Sequence, residues 1–399
     1  METLRYLFEL KTCILENLKF NWVYVTKSQQ EGKAIMRIGI PKELKSLEGR
    51  ISLTPDAVKS LTEAGHEVYV ELGAGVLSGY SDNQYSHAGA SLMPSASMVY
   101  QNAQLIVKVK EPLETEWSLY NKNHTLFCFL HLAANPELTQ KLCDIGLTAI
   151  AFETVAEKNE TTGQFSLPLL APMSAIAGRV TVQMGATLQY QYRGGQGILF
   201  GGLDGQVAED IDTGHVVVLG GGIAGTQAAI TAASLGAKVT VLDINEARLS
   251  ELSKITNVTG VQSSDENIKH YVKEADLLVG AVLIPGAKAP HLVTEEMVKT
   301  MKKNSVVMDI SVDQGGCIET IRPTTYATPV YYHEDVLHFG VANIPGAVPR
   351  TATQALSAAI LPYVHDVISS LESKNWSKNE QINQAINVKD GEIVLNALK

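Results

Sequence analysis

The chain has 399 residues, more than one hydrophobic core usually supports, which predicts two domains. Its composition is 45% hydrophobic, 19% charged and 6% aromatic, which excludes a disordered chain, a collagen-like repeat and a disulfide scaffold. With 42 acidic against 32 basic residues the formal charge is −10, a poor balance for a nucleic-acid partner or an anionic membrane surface. Cys13, Cys128, Cys143 and Cys317 lie far apart without CxxC spacing, so the sequence offers no metal site and no disulfide framework. A reducing compartment fits this pattern.

No segment reaches the roughly 18 to 20 uninterrupted apolar residues of a membrane span. The apolar run over 277–287 is about half that length and contains Pro285. The first 35 residues are partly apolar, but Glu2, Glu9, Lys11, Glu16 and Lys19 interrupt them. They lack the basic start, uncharged centre and small-residue cleavage site of a secretory signal. The segment reads as an appended helix, or as the product of a start upstream of Met36, and the protein as cytoplasmic.

From Met36 the chain alternates short β-rich runs with helical stretches. Strands are predicted over 37–40, 67–70, 105–109, 126–130 and 147–152, with helices over 55–64 and 136–145. A long helix follows over 174–192, and the Gly-rich stretch 194–205 breaks the pattern. A second alternating series has strands over 216–219, 239–242, 277–281, 306–310 and 339–342, then a helix over 353–371. The tail from Glu372 is polar and reads as loosely ordered. Continuous apolar strands alternating with helices predict an α/β fold of mostly parallel sheets covered on both faces, in two lobes with a cleft between them.

The sharpest local signal is Gly220-Gly221-Gly222-Ile223-Ala224-Gly225, a GxGxxG match. An apolar strand enters it, an Ala-rich helix leaves it, and a second strand ends at Asp243. In a Rossmann turn of this kind, Gly220 permits the tight bend and Gly222 lets a pyrophosphate approach the backbone. Gly225 lets helix and strand pack closely. The helix N-terminus offers free N–H groups to the phosphates. Asp243, 23 residues after Gly220, stands near the distance expected for the acid that binds the adenosine ribose, and it would repel a 2′-phosphate. The cofactor implied is NAD rather than NADP. The alternative is a glycine-rich turn in a nucleotide-free α/β domain.

Ligands of open α/β sheets bind beyond the carboxyl ends of the strands. Lys110 and Glu111, His131, Glu153, Asp313 and Asn343 each follow a predicted strand, and Arg50 lies in the loop after the first. Singly, each has a plain reading: Arg50 as a surface ion-pair partner, Lys110-Glu111 as a solvated strand end, His131 as a buried satisfied histidine, Asp313 as a turn former. Together they supply cations for a carboxylate, a histidine for proton transfer and an acid beside a nicotinamide.

Eight motifs in order, MRIGIPKE (36–43), VKVKEP (107–112), FLHLAA (129–134), LPLLAPMSAIAGR (167–179), GAVLIPGAKAP (280–290), DISVDQGG (309–316), RPTTY (322–326) and VANIPGAVPRTAT (341–353), resemble the alanine dehydrogenase family. The likeness runs from Met36 to about Leu371. It implies reversible, NAD-dependent oxidative deamination of L-alanine to pyruvate and ammonium, with His131 and Asp313 catalytic and Arg50 and Lys110 holding the substrate. By the same resemblance Ser174, Ile223, Ala224, Asp243, Arg248, Ser263, Val282, Leu283, Ile310, Ser311, Val312, Asp313, Val341, Ala342, Asn343 and Ile344 fall at cofactor-contacting positions, beside Gly220, Gly222 and Gly225.

The family plan also implies a discontinuous substrate domain, 36–170 with 345–399, and an inserted NAD-binding domain, 171–344. A homohexamer is implied, without metal, nucleic acid or membrane. Two features depart from the family. The linker GGLDGQVAEDIDTG (201–214) is longer and more acidic than its compact counterpart, and residues 1–35 have no counterpart. The rival readings are the NAD-binding portion of a proton-translocating transhydrogenase, a lysine- or saccharopine-type dehydrogenase, and a catalytically silent NAD-binding regulator. The combination of Lys110, His131 and Asp313 speaks against the last.

Overall fold

The computed structural model describes residues 34–158, 163, 165–203, 211–282 and 290–398. Residues 1–33 of the N-terminal extension, 204–210 of the linker and Leu283 therefore lie outside the described residues.

Among the described residues, two large sheets and one short ribbon account for the strands of the Ile35–Lys399 unit. The first sheet is built from β1 (Arg37–Ile40), β2 (Glu67–Glu71), β3 (Ser91–Met93), β4 (Leu105–Val107), β5 (Thr125–Cys128) and β6 (Thr148–Ala151). The ribbon pairs β7 (Glu157–Lys158) with β8 (Phe165–Ser166). The second sheet takes β9 (His215–Leu219), β10 (Lys238–Asp243), β11 (Val258–Gln262), β12 (Leu277–Gly280), β13 (Val306–Asp309), β14 (Val330–His333) and β15 (Val336–Phe339). The chain then returns to the first sheet with β16 (Ile386–Lys389) and β17 (Glu392–Ile393). The orders are β17-β16-β6-β5-β4-β1-β2-β3 and β11-β10-β9-β12-β13-β15-β14.

All pairings in both sheets are parallel except at β14–β15, β16–β6 and β16–β17. Parallel strands need covering on both faces, which explains why β4, β5, β9, β12, β13 and β15 are buried at every residue. One apolar core draws on both sheets, with Ile38 and Val107 from the first, Val218 and Val279 from the second, and Val180 and Leu356 from the long helices Ala171–Leu188 and Pro349–Ser373. Separate apolar clusters cover the outer face of each sheet.

The Ala171–Leu188 helix lies close over the second sheet because its contact residues are small. A Cβ at Gly178 would stand 2.1 Å from the Ala224 carbonyl oxygen, and one at Gly185 would stand 2.5 Å from Leu277. That contact sets the first turn of the helix, with Met173 and Ser174, beside the start of the Ile223–Ser234 helix.

Two expectations are corrected. The tail is ordered: the Glu380–Gln384 helix leads into β16, whose antiparallel pairing with β6 buries Ile386 and Val388. Polar flanks hide these few apolar residues, and a short edge hairpin carries no long hydrophobic period. The last strand of the second series lies earlier than residues 339–342. It ends at Phe339, because at Gly340 the chain passes so near Arg322 that a Cβ would be 2.1 Å from its carbonyl oxygen. Val341 then makes only an isolated bridge to Thr324.

Candidate active site

A cleft is lined by Arg50, Lys110, Phe129 and His131 from the ends of the first sheet and by Ala281, Ile310, Ser311, Asp313, Asn343 and Ile344 from the ends of the second. Leu170, Met173, Ser174 and Ala177 reach it from the Ala171–Leu188 helix, and Ala224 from the dinucleotide turn. Arg50, Lys110, His131 and Asp313 thus meet in one place from four distant stretches of chain.

Arg50 is 3% exposed. Its Nε donates to Glu48 Oε1 at 2.7 Å and its Nη2 to Glu48 Oε2 at 2.5 Å. Nη2 also donates to Asn343 Oδ1 at 2.8 Å, and Nη1 approaches Met173 Sδ at 3.2 Å. Burial pushes the Glu48 carboxyl up, but the hydrogen bonds and charge of Arg50 outweigh it and hold it below the usual carboxylate range. The ion pair is therefore interior, not a surface contact.

Lys110 is buried rather than solvated, and its ammonium has no ion pair or hydrogen bond among the described residues. Burial and then the neighbouring Arg50 charge lower its pKa, with Glu111 opposing. A desolvated lysine beside a desolvated arginine is a receptor for an anion.

His131 is about one-third exposed at the cleft and stacks on Phe129, with centroids 5.9 Å apart and planes within 3°. Its backbone is left-handed, with φ 50° and ψ 42°. Glu153 holds that conformation: Oε1 accepts the His131 N–H at 2.6 Å, and both oxygens accept Leu130 N–H at 3.2 Å. The same Oε1 is 3.8 Å from His131 Nδ1. Asn343 is the second cleft residue with left-handed backbone, at φ 64° and ψ 45°. Histidine and asparagine enter this region more readily than most non-glycine residues, and described residues away from the cleft, such as Leu47 and Asn304, share it.

Asp313 is exposed on the turn Val312–Gln314. The turn-forming role open to it belongs to Asp309, whose oxygens accept Ser311 N–H at 2.9 Å and Cys317 N–H at 2.7 Å. Burial raises the Asp309 pKa against those bonds. Asp313 itself is left facing the cleft.

The dinucleotide turn has the form its glycines require. Gly220 has φ +96°, and a Cβ at Gly225 would lie 1.8 Å from the Gly220 carbonyl oxygen. A Cβ at Gly222 would meet nothing within 4 Å, so open space lies over the turn. The 12-residue Ile223–Ser234 helix starts there with no side-chain cap and no acid in its first turn. Uncapped amides facing open space fit a pyrophosphate.

Asp243 Oδ2 accepts Gly221 N–H at 2.5 Å and Oδ1 accepts Asn245 N–H at 2.8 Å, leaving further lone pairs for ribose hydroxyls. Arg248 is committed elsewhere, to Gly221 O at 2.8 Å, Thr226 Oγ1 at 2.7 Å and Glu251 Oε2 at 2.8 Å. Ser263 follows β11, its N–H bonded to Asp243 O at 2.9 Å. Ile223 is exposed and Val341 buried, while Val282 and Ala342 are half-buried. Of the residues expected at the cofactor, Ser174, Ala224, Ile310, Ser311, Asp313, Asn343 and Ile344 line the cleft; Gly220, Gly222, Ile223, Gly225, Asp243, Arg248, Ser263, Val282, Val312, Val341 and Ala342 are not among its lining residues.

Sequence reading passed over Glu48 and assigned no role to Glu153. An acid two residues before Arg50 was the available signal for the first. The second needed the strand-end position to be read together with the left-handed histidine it supports. Phe129, Leu170, Met173, Ala281 and Pro345 give the cleft its apolar wall and carry no sequence signal beyond hydrophobicity.

Residues 39–177 match the family model described as alanine dehydrogenase/PNT, N-terminal domain, and residues 181–396 the corresponding C-terminal domain. The chain is 46% identical over 366 residues to the alanine dehydrogenase of Methanococcus maripaludis, covering 91% of this chain and 95% of that one. A solved structure of an L-alanine dehydrogenase superposes with a TM-score of 0.84 at 46% identity, over 91% of this chain and 98% of the other. A transhydrogenase structure from Sinorhizobium meliloti reaches 0.75 at 25% identity, over 90% and 99%.

Proposed function

Because the chain belongs to the alanine dehydrogenase/PNT family, we propose that it is an NAD-dependent L-alanine dehydrogenase, interconverting L-alanine with pyruvate and ammonium. The observation that carries this reading is the convergence of Arg50, Lys110, His131 and Asp313 on one cleft that also takes in Ser174 and Ala224 beside the dinucleotide turn. The greater likeness to alanine dehydrogenases than to the transhydrogenase favours it over that rival. Among the described residues no helix is long and apolar enough to cross a membrane.

In this reading residues 36–170 with 345–399 bind substrate and 171–344 bind the dinucleotide. Arg50 and Lys110 hold the substrate carboxylate and the developing carbonyl oxygen. The uncapped start of the Ile223–Ser234 helix and Gly222 hold the pyrophosphate, and Asp243 the adenosine ribose. NAD held there would supply the acceptor for the hydride of the alanine Cα. With Nδ1 turned to Glu153, His131 takes up and returns protons at Nε2, first from the amine and then from the water that attacks the imine. Asp313, on the second sheet's side of the cleft, stabilises the cationic imine and orients water or ammonium. Phe129, Leu170 and Met173 exclude bulk water from the reacting carbon. The protein works in the cytoplasm as a homohexamer. The test is spectrophotometric: NADH formation with L-alanine, lost in Lys110→Ala and His131→Ala while NADH still binds.

A further inference from the structure

Arg50, read above as the ligand of the substrate carboxylate, is nearly spent before any substrate arrives. A guanidinium has five N–H groups in a fixed fork. Nε and one Nη2 N–H go to the two oxygens of Glu48, at 2.7 and 2.5 Å. The other Nη2 N–H goes to Asn343 Oδ1 at 2.8 Å. Asn343 Nδ2 in turn donates to Glu48 Oε2 at 3.0 Å, closing a ring of three side chains. Only Nη1 remains, facing Met173 Sδ at 3.2 Å, a weak acceptor that a carboxylate oxygen displaces. Arg50 and Glu48 are each 3% exposed, so water does not loosen the arrangement.

We propose that Glu48 is a positioning residue that, with Asn343, presents Arg50 to substrate through Nη1 alone. A fork-to-fork pairing with the incoming carboxylate is closed off, because the fork is already occupied. The second contact must come from Lys110, whose ammonium lies in the same cleft without a hydrogen bond or ion pair among the described residues. Glu48 thereby enforces a divided recognition, one carboxylate oxygen on Arg50 and the adjoining oxygen on Lys110. Such a clamp suits a small acid with a polar group next to its carboxylate. Because Asn343 follows β15 of the second sheet while Glu48 and Arg50 follow β1 of the first, the ring also joins the two sides of the cleft.

The test is Glu48→Gln in the full chain, assayed for pyruvate reduction with NADH and ammonium. The amide keeps the shape, removes the charge, and turns an N–H pair toward Arg50 or Asn343. KM for pyruvate is expected to rise at least about tenfold with kcat within about threefold, as for a lost ground-state contact. NADH affinity, by fluorescence, is expected to stay within about twofold of wild type. In an Arg50→Lys background the same substitution is expected to add little, since its effect passes through the guanidinium. Glu48→Asp, charged but too short to reach the fork, is expected to raise KM as well.

Unchanged KM in both variants would overturn the proposal, as would full additivity with Arg50→Lys or a joint fall in kcat and NADH affinity. If both variants are insoluble, Glu48 is a folding residue and the assignment is equally overturned. Wild type that does not reduce pyruvate would instead refute the enzyme reading, and a normal KM in Arg50→Lys would refute the role of Arg50.

Discussion

Replacing Gly222 and Gly225 by alanine separates folding from the proposed dinucleotide binding at positions three residues apart. Gly222 has φ −63° and ψ −167°, an extended conformation open to alanine, and its added methyl meets no protein atom within 4 Å. By restricting the unfolded chain, Gly222→Ala is expected to leave stability unchanged or raise it by about 0.4–1 kcal/mol. The methyl does, however, fill the space over the turn that the proposed function assigns to the pyrophosphate. Losing one charge-assisted hydrogen bond there costs about 1.5–3 kcal/mol, which weakens NADH binding roughly 10- to 100-fold.

Gly225→Ala places its Cβ 1.8 Å from the Gly220 carbonyl oxygen, where ordinary contact needs at least 3.4 Å. The turn must open by more than an ångström, at a cost of about 1–3 kcal/mol or more. That variant is expected to lose both thermal stability and NADH binding. The assay is NADH fluorescence titration beside thermal unfolding. A Gly222→Ala protein that binds NADH like wild type would refute the assignment of the pyrophosphate to this turn.

His131→Ala and Asp313→Ala are each expected to lower kcat by at least roughly 100-fold, the low end for acid–base groups. NADH binding, read by fluorescence, should survive His131→Ala, because that residue stands on the first sheet's side of the cleft. Asp243 is expected to favour NAD over NADP in kcat/KM by a wide margin, since a 2′-phosphate would face its carboxylate; equal values would refute this. Glu43 is buried with Oε1 on the Val109 N–H and Oε2 3.7 Å from Lys108 Nζ; burial, only partly opposed by that ammonium, raises its pKa from 4.5 to about 7. Its folded pKa lies above its unfolded one, so its contribution is complete below pH 4.5 and is lost as pH rises through about 7, a change of roughly 3 kcal/mol. Glu43→Gln is therefore expected to flatten the fall in Tm between pH 5 and 8. Truncation before Ile386 is expected to destabilise the protein by removing β16, whereas deletion of residues 1–35 should leave it active; both are read by Tm and turnover.

The repeating strand–helix pattern was legible because buried parallel strands are continuous apolar runs, as in β9, whose five residues are all buried. Edge elements were not: β3, β11 and β14 are only partly buried, so no continuous apolar run marks them. The dinucleotide turn was legible because glycine is demanded at fixed offsets by backbone approach. Arg50, Lys110, His131 and Asp313 could be nominated from strand ends, but the ring of Glu48 and Asn343 around Arg50 could not. It joins residues 295 positions apart, and no local pattern encodes such a contact. The left-handed backbone of His131 was hidden for the same reason, since Glu153 imposes it from the end of the next strand.

The most direct test of the central claim follows absorbance at 340 nm with purified protein, NAD and a panel of L-amino acids. NADH formation is expected with L-alanine and should reverse on addition of pyruvate and ammonium. Turnover with lysine but not alanine, or none with any amino acid, would contradict the assignment.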